Sequence, residues 1–138
     1  MKLPRLSLIV LTLLNPLPVV AEINISNAWL RLLPPMVKTS AAYMDIQSDQ
    51  PDVLLSVYSE IAERVEIHES AMTNGMMSMS HLEKIVVPAG KKVALSSNGK
   101  HLMLIGLHKT LKEGDSYLFK LNFKHAGELE IIIPVENH

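Results

Sequence analysis

Turn residues divide this chain into short pieces, and that punctuation limits what it can fold into. Pro34-Pro35, Ser48-Asp49-Gln50-Pro51-Asp52, Asn74-Gly75, Pro88-Ala89-Gly90, Asn98-Gly99, Glu113-Gly114-Asp115 and Ala126-Gly127 separate runs in which apolar and polar residues alternate. Alternation with period two, bounded by such residues, reads as half-buried β-strands, and no long amphipathic helix pattern competes with it. The expected strands are Ile25 to Leu33, Ala41 to Ser48, Val53 to Ser59, Arg64 to Thr73, Met76 to Ile85, Lys92 to Ser97, Lys100 to Leu107, Ser116 to Phe123 and Glu128 to Val135. Eight or nine antiparallel strands suggest an all-β sandwich. Trp29, the only tryptophan, is expected to anchor its core.

The first twenty-one residues have a different character. Lys2 and Arg5 precede a largely apolar run from Leu8 to Val20, which Asn15, Pro16 and Pro18 interrupt. A spanning helix needs about twenty predominantly apolar residues, so the segment is expected to be a signal peptide. Val19 and Ala21 suit a cut before Glu22, leaving 22–138 as one domain of 117 residues. The leader holds two of the thirteen basic residues and none of the fourteen acidic ones, so the remainder carries eleven against fourteen, a formal −3. That balance argues against a nucleic-acid partner. With no cysteine, thiol catalysis, disulfides, thiolate metal sites, a blue-copper centre and a lipid-bearing cysteine are all excluded.

Asn-Gly between apolar runs is the strongest short hairpin signal, because both residues tolerate the positive φ of a type I′ turn. A two-residue turn at Asn74-Gly75 would set Thr73 against Met76, Met72 against Met77, Ser70 against Met79 and His68 against His81. His68, Ser70, Met72, Met77, Met79 and His81 then share one face, with Met76 on the other. Met79 lies diagonal to His68, and diagonal neighbours about 7–8 Å apart are within reach of long side chains. A second hairpin is expected to turn at Asn98-Gly99. It would place His101 and Met103 on one face while Leu102 and Leu104 point to the core.

Two imidazoles and two thioethers would form a soft, neutral site suited to Cu(I), whereas zinc makes little use of methionine and hard cations need oxygen. Methionine is also a common core filler. Four of the eight methionines fall between Met72 and Met79, where a core strand would more naturally use Val, Ile or Leu. From the residues alone, a copper site and a structural role both stay open.

The run of His68, ten residues, Met79, twenty-one residues, His101, one residue and Met103 resembles the signature of the periplasmic copper chaperones called PCu(A)C. Similarity extends through Ala28-Trp29-Leu30-Arg31, Pro34-Pro35, Ala41-Ala42-Tyr43, Val65-Glu66-Ile67-His68-Glu69, Asn74-Gly75, His101 to Leu107 and Pro134-Val135. The resemblance implies a cupredoxin-like Greek-key sandwich that binds Cu(I) through His68, Met79, His101 and Met103. It also implies delivery of the ion to the dinuclear copper centre of cytochrome c oxidase subunit II, or to another assembly factor, by a periplasmic monomer without a stable membrane anchor. Two departures stand out. Some members place Met directly after the first histidine, where this chain has Glu69, and certain relatives carry a His- and Met-rich tail, where this chain has Glu136-Asn137-His138. No second, tail-borne Cu(II) site is therefore expected.

Enzyme readings find little support. His68-Glu69 lacks the second histidine of a His-Glu-x-x-His metalloprotease, since Met72 stands there. There is no Gly-x-Ser-x-Gly elbow, phosphate loop or cysteine nucleophile. Two thioethers disfavour the Cu(II) state that a copper oxidase needs. A copper buffer would use the same ligands as a chaperone. Met72, Met77 and His81 share the face of His68 and Met79 and are expected to shield the site, with guiding copper in or out as the alternative. Arg31 and Lys100 are expected to be solvated, with an acidic partner as the alternative, and His108 and His125 to be ordinary turn residues.

Overall fold

The computed structural model describes residues 2–4, 11–17 and 22–138. Arg5, Leu8 to Val10, Pro18 to Val20 and Ala21, which belong to the expected leader and its cut, lie outside the described residues. Among the described residues, no helix is long and apolar enough to cross a membrane.

Ten strands follow from Ile23 to Glu136: β1 (Ile23–Arg31), β2 (Thr39–Ser48), β3 (Asp52–Tyr58), β4 (Ala62–Thr73), β5 (Met76–Leu82), β6 (Ile85–Val87), β7 (Val93–Ala94), β8 (Lys100–Leu107), β9 (Ser116–Phe123) and β10 (Gly127–Glu136). They pair in the order β5-β4-β8-β2-β1-β10-β9-β3-β6, with β7 on β2. Two seams close this sheet into a sandwich. β1 and β10 run parallel, Leu30 against Val135 and Arg31 against Glu136. At the other seam, Val57 of β3 meets Val65 of β4. The inner faces are packed with Leu30, Met44, Ile46, Leu54, Leu102, Leu104, Phe119, Leu121, Phe123 and Ile133, all at most 1% exposed. Burying each such side chain stabilises the fold by about 1.5–3 kcal/mol before conformational entropy is counted.

The all-β sandwich agrees with the alternation in the sequence, and three local expectations need correcting. The strand expected from Met76 to Ile85 is two, because the chain bends at Glu83 and Lys84. β5 thereby ends on the edge of β4, while β6 pairs with β3 through Asp52 to Val87 and Leu54 to Ile85. This transfer seats Ile85 and Val87 in the core.

The second hairpin does not form as such. β7 pairs with β2 at Asp45 and Ile46, and β8 pairs with the same strand at Thr39 to Ala42. β7 and β8 are two parts of one track along β2, and residues 95–99 form an excursion between them. Buried Leu95 tethers that excursion by donating its N–H to the Met44 carbonyl at 2.8 Å. The Gly99 N–H closes a turn on the Ser96 carbonyl at 3.2 Å, and neither Asn98 nor Gly99 takes positive φ.

Trp29 does not face the core. Ser26 pairs with Asp45 but Trp29 pairs with Tyr43, so one extra residue is accommodated in β1. The bulge centres on Asn27, at φ 51°, whose side-chain amide donates to Asp45 Oδ2 at 2.9 Å. An inserted residue reverses the inward and outward alternation beyond it. Leu30 therefore turns inward, and Trp29 lies half-buried on the outer face of the β5-β4-β8-β2-β1 layer.

Candidate metal centre

The Asn74-Gly75 turn has φ values of 52° and 75°, and the pairings around it are Thr73 to Met76, Met72 to Met77, Ser70 to Met79 and His68 to His81. On its other edge β4 pairs with β8, placing His68 opposite His101 and Glu66 opposite Met103. Ile67, Leu102 and Leu104 between them are buried in the core, so the histidines and Met103 lie on the outer face. Rings form a row across five strands there. The centroid separations are 5.6 Å for His81 and His68, 6.1 Å for His68 and His101, 6.3 Å for His101 and Tyr43, and 4.7 Å for Tyr43 and Trp29.

Met79, His101 and Met103 line one cleft of about 210 Å³, together with Ser70, Tyr43 and Arg31. His68 is not part of the cleft wall, but it adjoins His101 from the neighbouring strand. His101 is only 3% exposed, while Met79 stands half-exposed at the mouth. The excursion before β8 fixes the His101 ring. Its Gly99 carbonyl accepts the Ser70 N–H at 3.0 Å and lies 3.0 Å from His101 Nδ1. A carbonyl can only accept, so Nδ1 carries the proton and Nε2 carries the lone pair.

His68 has the opposite arrangement. Its Nε2 lies 2.8 Å from Glu66 Oε2, and Arg64 Nε donates to Glu66 Oε1 at 2.9 Å. The hydrogen bond with His68, then that with Arg64, holds the Glu66 carboxyl below the usual carboxylate range. Glu66 is therefore ionised and accepts only, which places the His68 proton on Nε2. Among the described residues, His68 Nδ1 is buried and has no hydrogen-bond partner. A buried nitrogen lone pair without a partner is costly, and a cation is one group that satisfies it. Among the described residues, no three His, Asp or Glu side chains converge as a metal-holding group, and the soft donors lining this cleft beside His101 are the thioethers of Met79 and Met103.

Three contributors were not expected from the sequence. Glu66 could have been found, since it lies two residues before His68 on the same face of a strand. Trp29 depends on the Asn27 bulge in β1, which nothing in the alternation signals, and Tyr43 comes beside His101 because β2 pairs with β8. The Arg31 guanidinium lies over the Tyr43 ring, 5.4 Å from its centroid. Burial raises the Tyr43 phenol, Arg31 partly offsets that, and the net shift is upward, so the hydroxyl stays protonated at neutral pH. Lys100 is paired with Glu69 at 3.6 Å. His125 donates its backbone N–H to buried Asp52.

The same fold occurs in solved PCuAC domains. The copper-bound PCuAC domain from PmoF2 superposes with a TM-score of 0.72 and 26% identity, covering 88% of this chain and 97% of that one. The apo PCuAC domain from PmoF1 gives 0.73 and 24% over 88% and 98%. The solution structure of CuI-DR1885 from Deinococcus radiodurans gives 0.66 and 26% over 86% and 79%. The chain thus has the cupredoxin-like fold of PCuAC domains. Residues 23–135 match the family described as "Putative lipoprotein LpqE-like", and the chain belongs to that LpqE-like family. A curated relative, "Putative lipoprotein Lxx21020" of Leifsonia xyli subsp. xyli (strain CTCB07), is 25% identical over 118 residues, 83% of this chain and 70% of that protein. No cysteine that could bear a lipid occurs among the 138 residues here.

Proposed function

We propose that this chain is an exported Cu(I) chaperone that holds one ion through His68 Nδ1, Met79, His101 Nε2 and Met103 and passes it to an acceptor protein. The buried, unpartnered Nδ1 of His68 carries this reading. It stands next to His101, whose free nitrogen is Nε2, on a face that also presents two thioethers. All four donors are neutral, so the ion keeps its single charge, and the soft thioethers favour Cu(I) over Cu(II) or zinc. Glu66 fixes the tautomer of His68 and the Gly99 carbonyl fixes that of His101, so both lone pairs are set before the ion arrives. Met79, half-exposed at the cleft mouth, is the ligand an acceptor would displace first.

The copper-bound PCuAC domain from PmoF2 and the Cu(I) form of DR1885 support the choice of ion. The wider reading is a cleaved leader over residues 1–21, a periplasmic setting and no enzymatic activity. The acceptor in this reading is the dinuclear copper centre of cytochrome c oxidase subunit II. Anaerobic titration of copper-free protein against a competing Cu(I) chelator should give a one-to-one complex without visible bands, because the d shell is filled. Mixing that complex with the copper-free dinuclear domain should then load the acceptor. Failure to bind Cu(I) would refute the reading, and tight binding without transfer would make the protein a copper buffer.

A further inference from the structure

The outer end of the β4-β5 hairpin is unlike the other described strands, because every residue from Ala71 to His81 is exposed. Met72 is 70% exposed and Met77 61%. They are direct cross-strand partners, and neither packs against the hydrophobic core. An exposed edge strand is ordinarily protected by charge or proline, and the opposite face of this hairpin does use small polar residues, Thr73, Ser78 and Ser80. Large exposed apolar side chains in register on one face therefore need a reason other than packing.

We infer that Met72 and Met77 form a second, weaker soft-cation site that receives Cu(I) and relays it to Met79. This inference rests on the proposed function and extends it to the path of the ion. Directly paired side chains have Cβ atoms about 4.5–5.5 Å apart, a span that two flexible thioether arms can close around one ion. Met77 and Met79 are two residues apart on one strand and share its face, so the relay site and the cleft mouth are adjacent along β5. Transfer is an exchange of one thioether for another. The copper stays Cu(I), no proton moves, and no oxidant or reductant is involved. Met76 belongs to the opposite face, and Met36, 92% exposed, lies in the loop between β1 and β2. Both are at least as accessible as Met72 and Met77, and both lie outside the inferred path.

The test is a titration of the full mature chain, with its methionine methyls carbon-13 labelled, using Ag(I) as a redox-stable stand-in for Cu(I). Up to one equivalent, the Met79 and Met103 methyls should shift. Beyond one equivalent, Met72 and Met77 should shift together while Met36 and Met76 stay in place. The Met72→Leu/Met77→Leu double variant should lose the second phase, keep the first, and load the cleft several-fold more slowly from a Cu(I) chelate. The relay is overturned if Met72 and Met77 do not respond, if Met36 and Met76 respond equally, or if the double variant loads at the wild-type rate. Shifts at Met72 and Met77 with none at Met79 or Met103 would instead refute the proposed cleft and leave the hairpin as an independent site.

Discussion

Replacing Glu66 should weaken Cu(I) binding without unfolding the protein. The carboxylate lies 2.8 Å from His68 Nε2 and is held from its other oxygen by Arg64 at 2.9 Å, so it orients the ring and draws electron density toward Nδ1. Removing the outer partner of a metal-binding histidine typically lowers affinity about 10- to 100-fold. The short bond and the second anchor place Glu66→Leu toward the upper part of that range. Glu66→Gln keeps an oxygen acceptor at nearly the same place without the charge, so its loss should be smaller than that of Glu66→Leu. Anaerobic competition titrations give the affinities, and long-range imidazole nitrogen-15 spectra of the copper-free variants report the proton on His68 directly. Wild type and Glu66→Gln should keep His68 in the Nε2-H form, whereas Glu66→Leu should show ring-nitrogen shifts averaged between tautomers. An unchanged affinity for Glu66→Leu, or a wild-type proton on Nδ1, would refute the reasoning.

Met79→Leu and Met103→Leu should each weaken Cu(I) while costing less than about 1.5 kcal/mol of stability, since leucine keeps much of the volume but no sulfur lone pair. His81→Ala should matter much less in the same titrations, although His81 sits directly opposite His68. Cu(I) affinity should fall on acidification, because ligation needs a neutral imidazole, and changing His68 and His101 together to methionine should flatten that dependence. Asp52→Asn should destabilise the fold by about 1–3 kcal/mol in denaturant titrations, because buried Oδ2, which accepts the Ala126 N–H at 2.9 Å, is lost as an acceptor. Burial raises the Asp52 carboxyl, but the backbone N–H groups of His125, Val53 and Ala126 outweigh it, so the net shift is downward. Its contribution is complete above the unfolded value of about 3.9 and is lost as pH falls through the lower folded value. Asp52→Asn should therefore unfold with a weaker dependence on acid than wild type.

What the sequence made legible followed from local chemistry with one solution. Asn74-Gly75 admits a two-residue turn with positive φ at both positions, and that turn determines the pairing of His68 with His81 and of Ser70 with Met79. The same dipeptide at residues 98 and 99 misled, because β2 offered β7 and β8 a common edge and buried Leu95 held the intervening chain there. Trp29 was misplaced because a single residue, Asn27, reverses the alternation, and a bulge of that kind depends on partners in β2 that a strand pattern does not contain. The adjacency of His68 and His101 was equally hidden. It arises from β4 pairing with β8 across the sheet, a contact between residues thirty-three positions apart, so no single hairpin predicts it. Glu66 was within reach of the sequence, since it lies two residues from His68 on the same strand face and close enough to hold the ring.

The most direct test of the proposed centre is a long-range imidazole nitrogen-15 spectrum of the protein with one equivalent of Cu(I), compared with the copper-free state. Nδ1 of His68 and Nε2 of His101 should shift on metal binding, while Nε2 of His68 and Nδ1 of His101 keep their protons and the His81 nitrogens stay where they were. Shifts at His81 with none at His68 Nδ1, or loss of the proton on either hydrogen-bonded nitrogen, would contradict the account.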